Sequence, residues 1–146
     1  MMRQFEKVSY SDKGILPTRN DKGSAGYDIY TPEKLVIKPG EIVKFKTDIK
    51  AKLCEQDVLM LYVRSSIGIK KNLMLCNGTG VIDSTYYNNP DNEGNIICAL
   101  YNYGKEEVVI EAGDRVVQAV LMPYYIMDND TYLNEERIGG IGSSGE

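Results

Sequence analysis

Hydrophobic and polar residues alternate with a period of two over residues 43–50, where Val43, Phe45, Thr47 and Ile49 alternate with charged residues. This pattern predicts a strand with one exposed face, preceded by a Pro-Gly turn at 38–41. A continuous apolar run at 58–63 and apolar residues on both faces of 95–103 predict strands buried on both faces. Residues 108–110 and 115–122 predict two further strands.

Residues 77–103 predict a long hairpin, with a polar tip near 88–94 and a return strand from Asn95. Short strands separated by Gly, Pro and Asn, with little helical periodicity, predict an all-β sandwich or barrel. At 146 residues, the chain is long enough for one domain. We expect a β core over 1–126 and a polar linker with a Gly/Ser-rich arm over 127–146. On composition alone such a tail is more often a frayed terminus, and the alternative is an arm that wraps phosphates.

Composition removes several classes of chemistry. The chain has no histidine, which excludes Ser-His-Asp catalysis and histidine-ligated metals. Its three cysteines form no C-x-x-C pair, so we expect reduced and mostly buried thiols. A net charge of −4 argues against binding of long nucleic acid. No apolar run approaches the roughly 18 residues of a membrane span, and no secretory signal is recognisable, so we expect no membrane association and a cytoplasmic protein.

Polar clusters at strand ends are the candidates for chemistry. Arg64, Ser65 and Ser66 follow a strand and could hold phosphate oxygens, although a surface turn would use the same residues. Asp83 follows Val81 and Ile82 in the predicted hairpin; it is either a water-activating carboxylate or an ordinary turn residue. Gln118 lies on an apolar strand face, where its amide needs a polar partner in the core or in a site.

Together these clusters resemble the five ordered motifs of the trimeric dUTPase family. The matching segments are 25–28, 64–70, 80–86, 113–118 and 137–145. The resemblance implies a jelly-roll-like β-barrel with a flexible C-terminal arm, assembled as a homotrimer whose three active sites lie at subunit interfaces and each draw on three chains. It also implies hydrolysis of dUTP to dUMP and pyrophosphate with Mg²⁺, which keeps uracil out of DNA and supplies dUMP for thymidylate synthesis.

The same resemblance assigns roles to individual residues. Asp83 would activate the water that attacks the α-phosphorus, and Gln118 would hold that water or the α-phosphate. Mg²⁺ would be held mainly by substrate phosphates, with Asp28 in its outer shell through water. The implied substrate-binding residues are Asn77, Gly80, Val81, Ile82 and Ile97 for uracil, Tyr86 for deoxyribose, Arg64, Ser65 and Ser66 for the triphosphate, and Arg137, Gly140, Ile141, Ser143 and Ser144 from the arm.

The sequence departs from the family pattern near the site. The tip over 87–93 is longer than the shortest family hairpins, and Thr85 replaces a common acidic residue. Ile141 stands where the family has a Phe that stacks on uracil, and Arg137 lies one residue closer to it than usual.

Two other functions share the fold. dCTP deaminase is disfavoured because residues 95–103 lack the required glutamate. The alternative is a regulatory or partner-binding protein that has the same fold and binds dUTP without hydrolysing it. Its protein partner would be unidentified.

Overall fold

The computed structural model describes residues 2–137 and 139–141, in which short β-strands predominate. The strands are β1 (Gln4–Lys7), β2 (Thr18–Arg19), β3 (Tyr27–Tyr30), β4 (Leu35–Ile37), β5 (Ile42–Lys46), β6 (Ile49–Lys52), β7 (Asp57–Val63), β8 (Leu73–Leu75), β9 (Gly80–Asp83), β10 (Ile97–Asn102), β11 (Val108–Ile110) and β12 (Arg115–Pro123). A π-helical turn, Ser66–Lys70, and a 3₁₀ turn, Ser84–Tyr86, are the helical elements of the described residues. The prediction of an all-β protein is confirmed, and no helix in the described part of the chain is long and apolar enough to cross a membrane.

The larger sheet has the strand order β2-β3-β12-β7-β9, and the second has the order β5-β10-β8. Two antiparallel pairs, β1-β6 and β4-β11, complete the fold. The core draws Ile29, Leu59 and Val117 from the larger sheet and Phe45 and Leu100 from the second. The two sheets therefore bury their apolar faces against a common core.

Strands β7 and β10 are buried on one face only. Leu59, Leu61, Cys98 and Leu100 are buried, whereas the alternating residues between them are partly exposed. The prediction of burial on both faces is wrong for the single chain, because the residues that the structure describes leave the other face of each strand partly exposed. Cys76 is also exposed, contrary to expectation, since it lies in the turn after β8.

The predicted strand over 43–50 is broken in two. Asp48 adopts a left-handed backbone with a φ of 57°, which ends the pairing of β5 with β10 and starts β6 as the partner of β1. Lys50 is consequently buried at 7% exposure, although the alternation places it on the exposed face. A single residue with positive φ therefore overrides the period-two pattern.

The buried Lys50 ammonium is bound by the tip loop, residues 87–93. Its Nζ donates to Asn88 Oδ1 at 2.6 Å and to Glu93 Oε2 at 2.8 Å, and it lies 5.0 Å from the centre of the Tyr87 ring. Glu93 also accepts a bond from the Ser9 backbone N–H at 2.7 Å. These partners offset the desolvation of the charge and fasten the tip loop to β6 and the N-terminal segment.

The Glu93 contacts predict a dependence of stability on pH. Hydrogen bonds from Lys50 and then Ser9 lower the pKa of Glu93 from 4.5 to about 2. A carboxyl group with a lowered pKa contributes fully to the free energy of unfolding above pH 4.5, and that contribution is lost as the pH falls toward 2. We expect Glu93→Gln to lower Tm at pH 7. The difference in Tm between the variant and wild type should become smaller below pH 4.5. Thermal denaturation at several pH values measures this; Glu107→Gln is the exposed control, and a gap independent of pH would contradict the prediction.

The predicted hairpin over 77–103 is wrong. Strand β9 pairs with β7, whereas β10 pairs with β5 and β8. Between them the chain makes the 3₁₀ turn Ser84–Tyr86 and then passes through three residues of positive φ, Asn88, Glu93 and Gly94. A Cβ on Gly94 would lie 2.9 Å from the Tyr86 carbonyl oxygen, so this turn needs glycine. The two strands enter different sheets and leave a cleft between them.

Candidate active site

The cleft between β9 and β10 has a volume of about 410 Å³ and is closed on one side by the C-terminal arm. It brings together ten residues predicted from the sequence: Asn77, Gly80, Val81, Ile82, Asp83, Tyr86, Ile97, Arg137, Gly140 and Ile141. Its apolar lining also includes Leu61, Leu75, Ile96 and Cys98, which the sequence analysis did not assign to a site. In the sequence these residues resemble ordinary core positions, because they lie on or next to the buried faces of β7, β8 and β10.

All four residues of strand β9 line the cleft, and their burial alternates. Gly80 and Ile82 are buried, and Val81 and Asp83 are more exposed. A Cβ on Gly80 would lie 2.8 Å from the Leu61 Cβ, so glycine permits the close contact of β9 with β7. The Asp83 side chain is 49% exposed at the cleft edge, which leaves its carboxylate accessible to water.

Tyr86 is a fixed wall of the cleft. It is 9% exposed, its hydroxyl donates to the Asn95 carbonyl oxygen at 2.7 Å, and it accepts a bond from Asn92 Nδ2 at 2.9 Å. Burial raises the pKa of Tyr86, so the hydroxyl stays protonated. The ring therefore has a defined orientation toward whatever occupies the cleft.

Arg137 joins the arm to the cleft. Its Nη1 donates to the carbonyl oxygens of Gly139 at 3.2 Å and Gly140 at 3.0 Å, and its Nε donates to Thr85 Oγ1 at 3.3 Å. Its Nη2 lies 3.6 Å from Asp83 Oδ2, and the guanidinium carbon lies 5.5 Å from the Tyr86 ring centre. The guanidinium thus contacts the carboxylate and the aromatic wall together. Ser143 and Ser144, which were also assigned to the arm, lie outside the described residues.

A second polar cluster lies on β3, β12 and the end of β7. Asp28 Oδ1 is 3.1 Å from Arg64 Nε, and Asp28 Oδ2 is 3.4 Å from Arg115 Nη1. Gln118 is paired with Asp28 in the β3–β12 register, and a Cβ on Gly26 would lie 2.8 Å from Gln118 Oε1. Two guanidinium groups around one carboxylate leave a net positive cluster, which suits an anion.

Arg115 is a candidate that the sequence analysis missed, because strict alternation places it opposite Gln118. A register shift between Arg115 and Val117 interrupts the β3–β12 pairing. Such a bulge re-aims a side chain, and here Arg115 reaches Asp28. Ser65 and Ser66 follow Arg64 and start the π-helical turn, where Ser65 is exposed.

The two clusters are separate within one chain. Gln118 is opposite Tyr62 of β7, and Asp83 is opposite Val58 of the same strand. Four residues along a strand and two strand spacings place the Cα atoms of Gln118 and Asp83 about 16 Å apart. A single chain therefore does not bring Asp83 together with Gln118, Arg64 or Asp28.

The donor set matches a metal carried by the substrate better than a metal held by the chain. No group of three or more Cys, Asp or Glu side chains in residues 2–137 and 139–141 is placed to hold a metal ion. Asp28 has an arginine at each carboxylate oxygen, which opposes direct binding of a free cation. A magnesium ion bound to phosphates is part of an anion and is compatible with the same cluster.

The family model described as dUTPase matches residues 12–145. Deoxyuridine 5'-triphosphate nucleotidohydrolase from Lactococcus lactis subsp. lactis is 49% identical over 147 residues, which cover 99% of this chain and 98% of that protein. The crystal structure of dUTPase from Streptococcus mutans has a TM-score of 0.80 and 44% identity, covering 86% of this chain and 99% of that one. The dUTPase of phage phi11 of S. aureus, in a D95N structure that concerns coordination of a structural Mg(II) ion, has a TM-score of 0.76 at 24% identity and covers 92% of this chain. These matches confirm the jelly-roll-like fold, and the chain belongs to the dUTPase family.

Proposed function

We propose that the chain hydrolyses dUTP to dUMP and pyrophosphate in the cleft between β9 and β10. The observation that carries the proposal is the accessible Asp83 carboxylate at the edge of a cleft walled by Tyr86 and Arg137. A volume of about 410 Å³ is within the usual range for small-molecule sites. The nucleotidohydrolase relatives support dUTP as the substrate.

Uracil is recognised by the backbone of the two separated strands. Strand β9 is at the edge of its sheet, so no strand among the described residues uses the backbone groups that face away from β7. Groups around Val81, Ile82 and Ile97 offer donors and acceptors to the pyrimidine, and the Asn77 amide assists. We expect the cleft to exclude the methyl group of thymine by steric clash, and cytosine would leave buried polar groups unpaired, which is heavily penalised.

The hydrolytic step uses Asp83 as the base. Asp83 orients a water molecule and takes its proton as the water oxygen bonds to the α-phosphorus and pyrophosphate leaves. Arg137 Nη2 is 3.6 Å from this carboxylate. A triphosphate offers the guanidinium better paired acceptors, so its arrival moves Arg137 to phosphate and leaves the carboxylate for the water.

The remaining polar residues reach the substrate from another chain. Because Gln118 and Asp83 are on opposite sides of β7, a neighbouring chain supplies Gln118 for the water or the α-phosphate and Arg64, Ser65 and Ser66 for the triphosphate. This arrangement supports a homotrimer with shared sites. In the single chain the arm lies on that chain's own cleft, at the place where the resemblance implies the arm of a third chain.

Magnesium accompanies the triphosphate in this proposal. Phosphate oxygens of the substrate and water would supply most of the ligands of Mg²⁺, and the bound ion would offset the charge of the pyrophosphate group. Asp28 holds Arg64 directly and is an outer-shell partner for metal-bound water.

The experiment that tests this function is pyrophosphate release with Mg²⁺ from dUTP, dTTP, dCTP and UTP in parallel. We expect release from dUTP and little from the other three. Binding of dUTP without release would favour the regulatory alternative, and equal release from all four would contradict recognition of uracil and deoxyribose in the cleft.

Tyr86→Ala should weaken selection against the ribose sugar. The Tyr86 ring is buried and hydrogen-bonded. If it lies against the deoxyribose, as the resemblance implies, its removal makes room for a 2′-hydroxyl and raises kcat/KM for UTP relative to dUTP roughly tenfold or more. Tyr86→Phe keeps the ring and is the matched control. An unchanged ratio in Tyr86→Ala would remove Tyr86 from sugar selection.

Ile141→Phe should tighten dUTP binding a few-fold. Ile141 lines the cleft at 70% exposure, and an aromatic ring there gains stacking on the base, worth roughly 0.5–1.5 kcal/mol between rings. Equilibrium binding of a non-hydrolysable dUTP analogue measures the effect. Ile42→Phe, on the exposed side of β5, is the control, and equal affinities in all three proteins would show that residue 141 does not cover the base.

A further inference from the structure

The tip loop, residues 87–93, is held by side-chain hydrogen bonds on the side that faces the arm. Asn89 is 5% exposed, and its Oδ1 accepts the backbone N–H groups of Asp91 at 3.0 Å and Asn92 at 3.1 Å. Its Nδ2 donates to the Tyr86 carbonyl oxygen at 2.8 Å. Together with the bonds from Lys50, this network fixes the backbone that carries Asp91.

The arm meets the tip loop at Gly140. The Gly140 N–H donates to Asp91 Oδ2 at 3.3 Å, and its carbonyl oxygen accepts from Arg137 Nη1 at 3.0 Å. A Cβ at this position would lie 2.9 Å from Asp91 Oδ2 and 3.0 Å from Asn92 Nδ2. Glycine therefore allows the arm backbone to approach the tip loop this closely.

We propose that Asp91 is a positioning residue that holds the arm at Gly140 and so places Arg137 and Ile141 at the cleft. Gly140 is bound on both sides, by Asp91 at its N–H and by Arg137 at its carbonyl, and Ile141 follows it into the cleft lining. The part of this proposal that concerns turnover rests on the proposed function. In this proposal the tip loop serves as the binding surface for the arm.

Trypsin cleavage after Arg137 tests the contact without substrate. Arg137 has a side chain 14% exposed while the arm is docked, so cleavage at this bond requires release of the arm. We expect Asp91→Ala to speed the appearance of the fragment ending at Arg137 about three- to tenfold, the effect of losing one charge-assisted bond at a partly exposed position. Asp91→Asn keeps an acceptor oxygen but loses the charge, so it should cleave more slowly than Asp91→Ala and faster than wild type. Asp128→Ala, which removes an exposed carboxylate from the linker, is the charge control.

Gly140→Ala provides a second, independent variant. Its added methyl group should displace the arm from the tip loop and speed cleavage comparably, and the two effects should combine less than additively in Asp91→Ala/Gly140→Ala, because both disrupt one contact. In the dUTP assay, Asp91→Ala should raise KM severalfold with a smaller change in kcat, and Asp91→Asn should restore it in part.

Three results would overturn the proposal: wild-type cleavage in Asp91→Ala, cleavage of Asp91→Asn as fast as that of Asp91→Ala, or additive effects in the double variant. Failure to hydrolyse dUTP would refute the proposed function and leave the cleavage result standing, so the two hypotheses are tested separately.

Discussion

Asp83→Asn should lose about a hundredfold or more in kcat for dUTP, the usual contribution of a positioned general base. The amide has nearly the shape of the carboxylate but cannot take a proton from water. Because the Asp83 side chain is 49% exposed, the substitution buries no new unpaired group and the fold should persist. Single-turnover release of pyrophosphate at saturating dUTP measures the chemical step directly.

The matched control is Asp12→Asn, which changes an exposed aspartate outside the cleft. Binding of a non-hydrolysable dUTP analogue should remain within a few-fold of wild type in Asp83→Asn, since the proposed loss is in proton transfer. A kcat near that of wild type would assign the base to another residue.

Deletion of residues 137–146 should reduce kcat/KM for dUTP about a hundredfold or more, the equivalent of one or two bonds to a charged group. The deletion removes Arg137, with its contacts to Asp83, Tyr86 and Thr85, and also Ile141. Ordering a Gly/Ser-rich arm costs roughly 1–2 kcal/mol per residue, so we expect the bound triphosphate to strengthen its closure.

Two smaller changes separate the contributions of residues 142–146 and of Arg137 to this loss of activity. Deletion of 142–146 keeps Arg137 and Ile141 and should cost less, while testing the expected role of Ser143 and Ser144 at the terminal phosphates. Arg137→Lys keeps the charge but loses the planar fork, so it should lie between wild type and the full deletion. Full activity after deletion of 137–146 would show that the tail is a frayed end, as its composition alone suggests.

Local patterns were sufficient for much of the fold. The strands at 108–110 and 115–122 match β11 and β12 closely, because each is a short apolar run between clear turns. The polar motifs identified ten residues that line one cleft, although the motifs are far apart in the sequence. The resemblance, rather than periodicity, connected them.

The errors arose where the backbone leaves regular geometry or where distant residues compensate a charge. The positive φ of Asp48 changes the sheet face on which the following side chains lie, and the bulge after Arg115 changes the direction of the Arg115 side chain. Alternation with a period of two reveals neither irregularity. Lys50 is buried because Asn88 and Glu93 reach it from about forty residues away in the sequence. The separation of β9 from β10 likewise depends on pairings with β7 and β5 that alternation cannot reveal.

The distance of about 16 Å between Asp83 and Gln118 in one chain, set by strand geometry, also has a genetic consequence. In an assembly with shared sites, a chain lacking the Asp83 carboxylate still donates an intact Gln118 cluster to its neighbour, and a chain lacking the Gln118 amide still donates an intact Asp83. Random mixing of the two defective chains would restore both groups in about one quarter of the sites. Two alleles that are each inactive alone would then complement one another within the same oligomer.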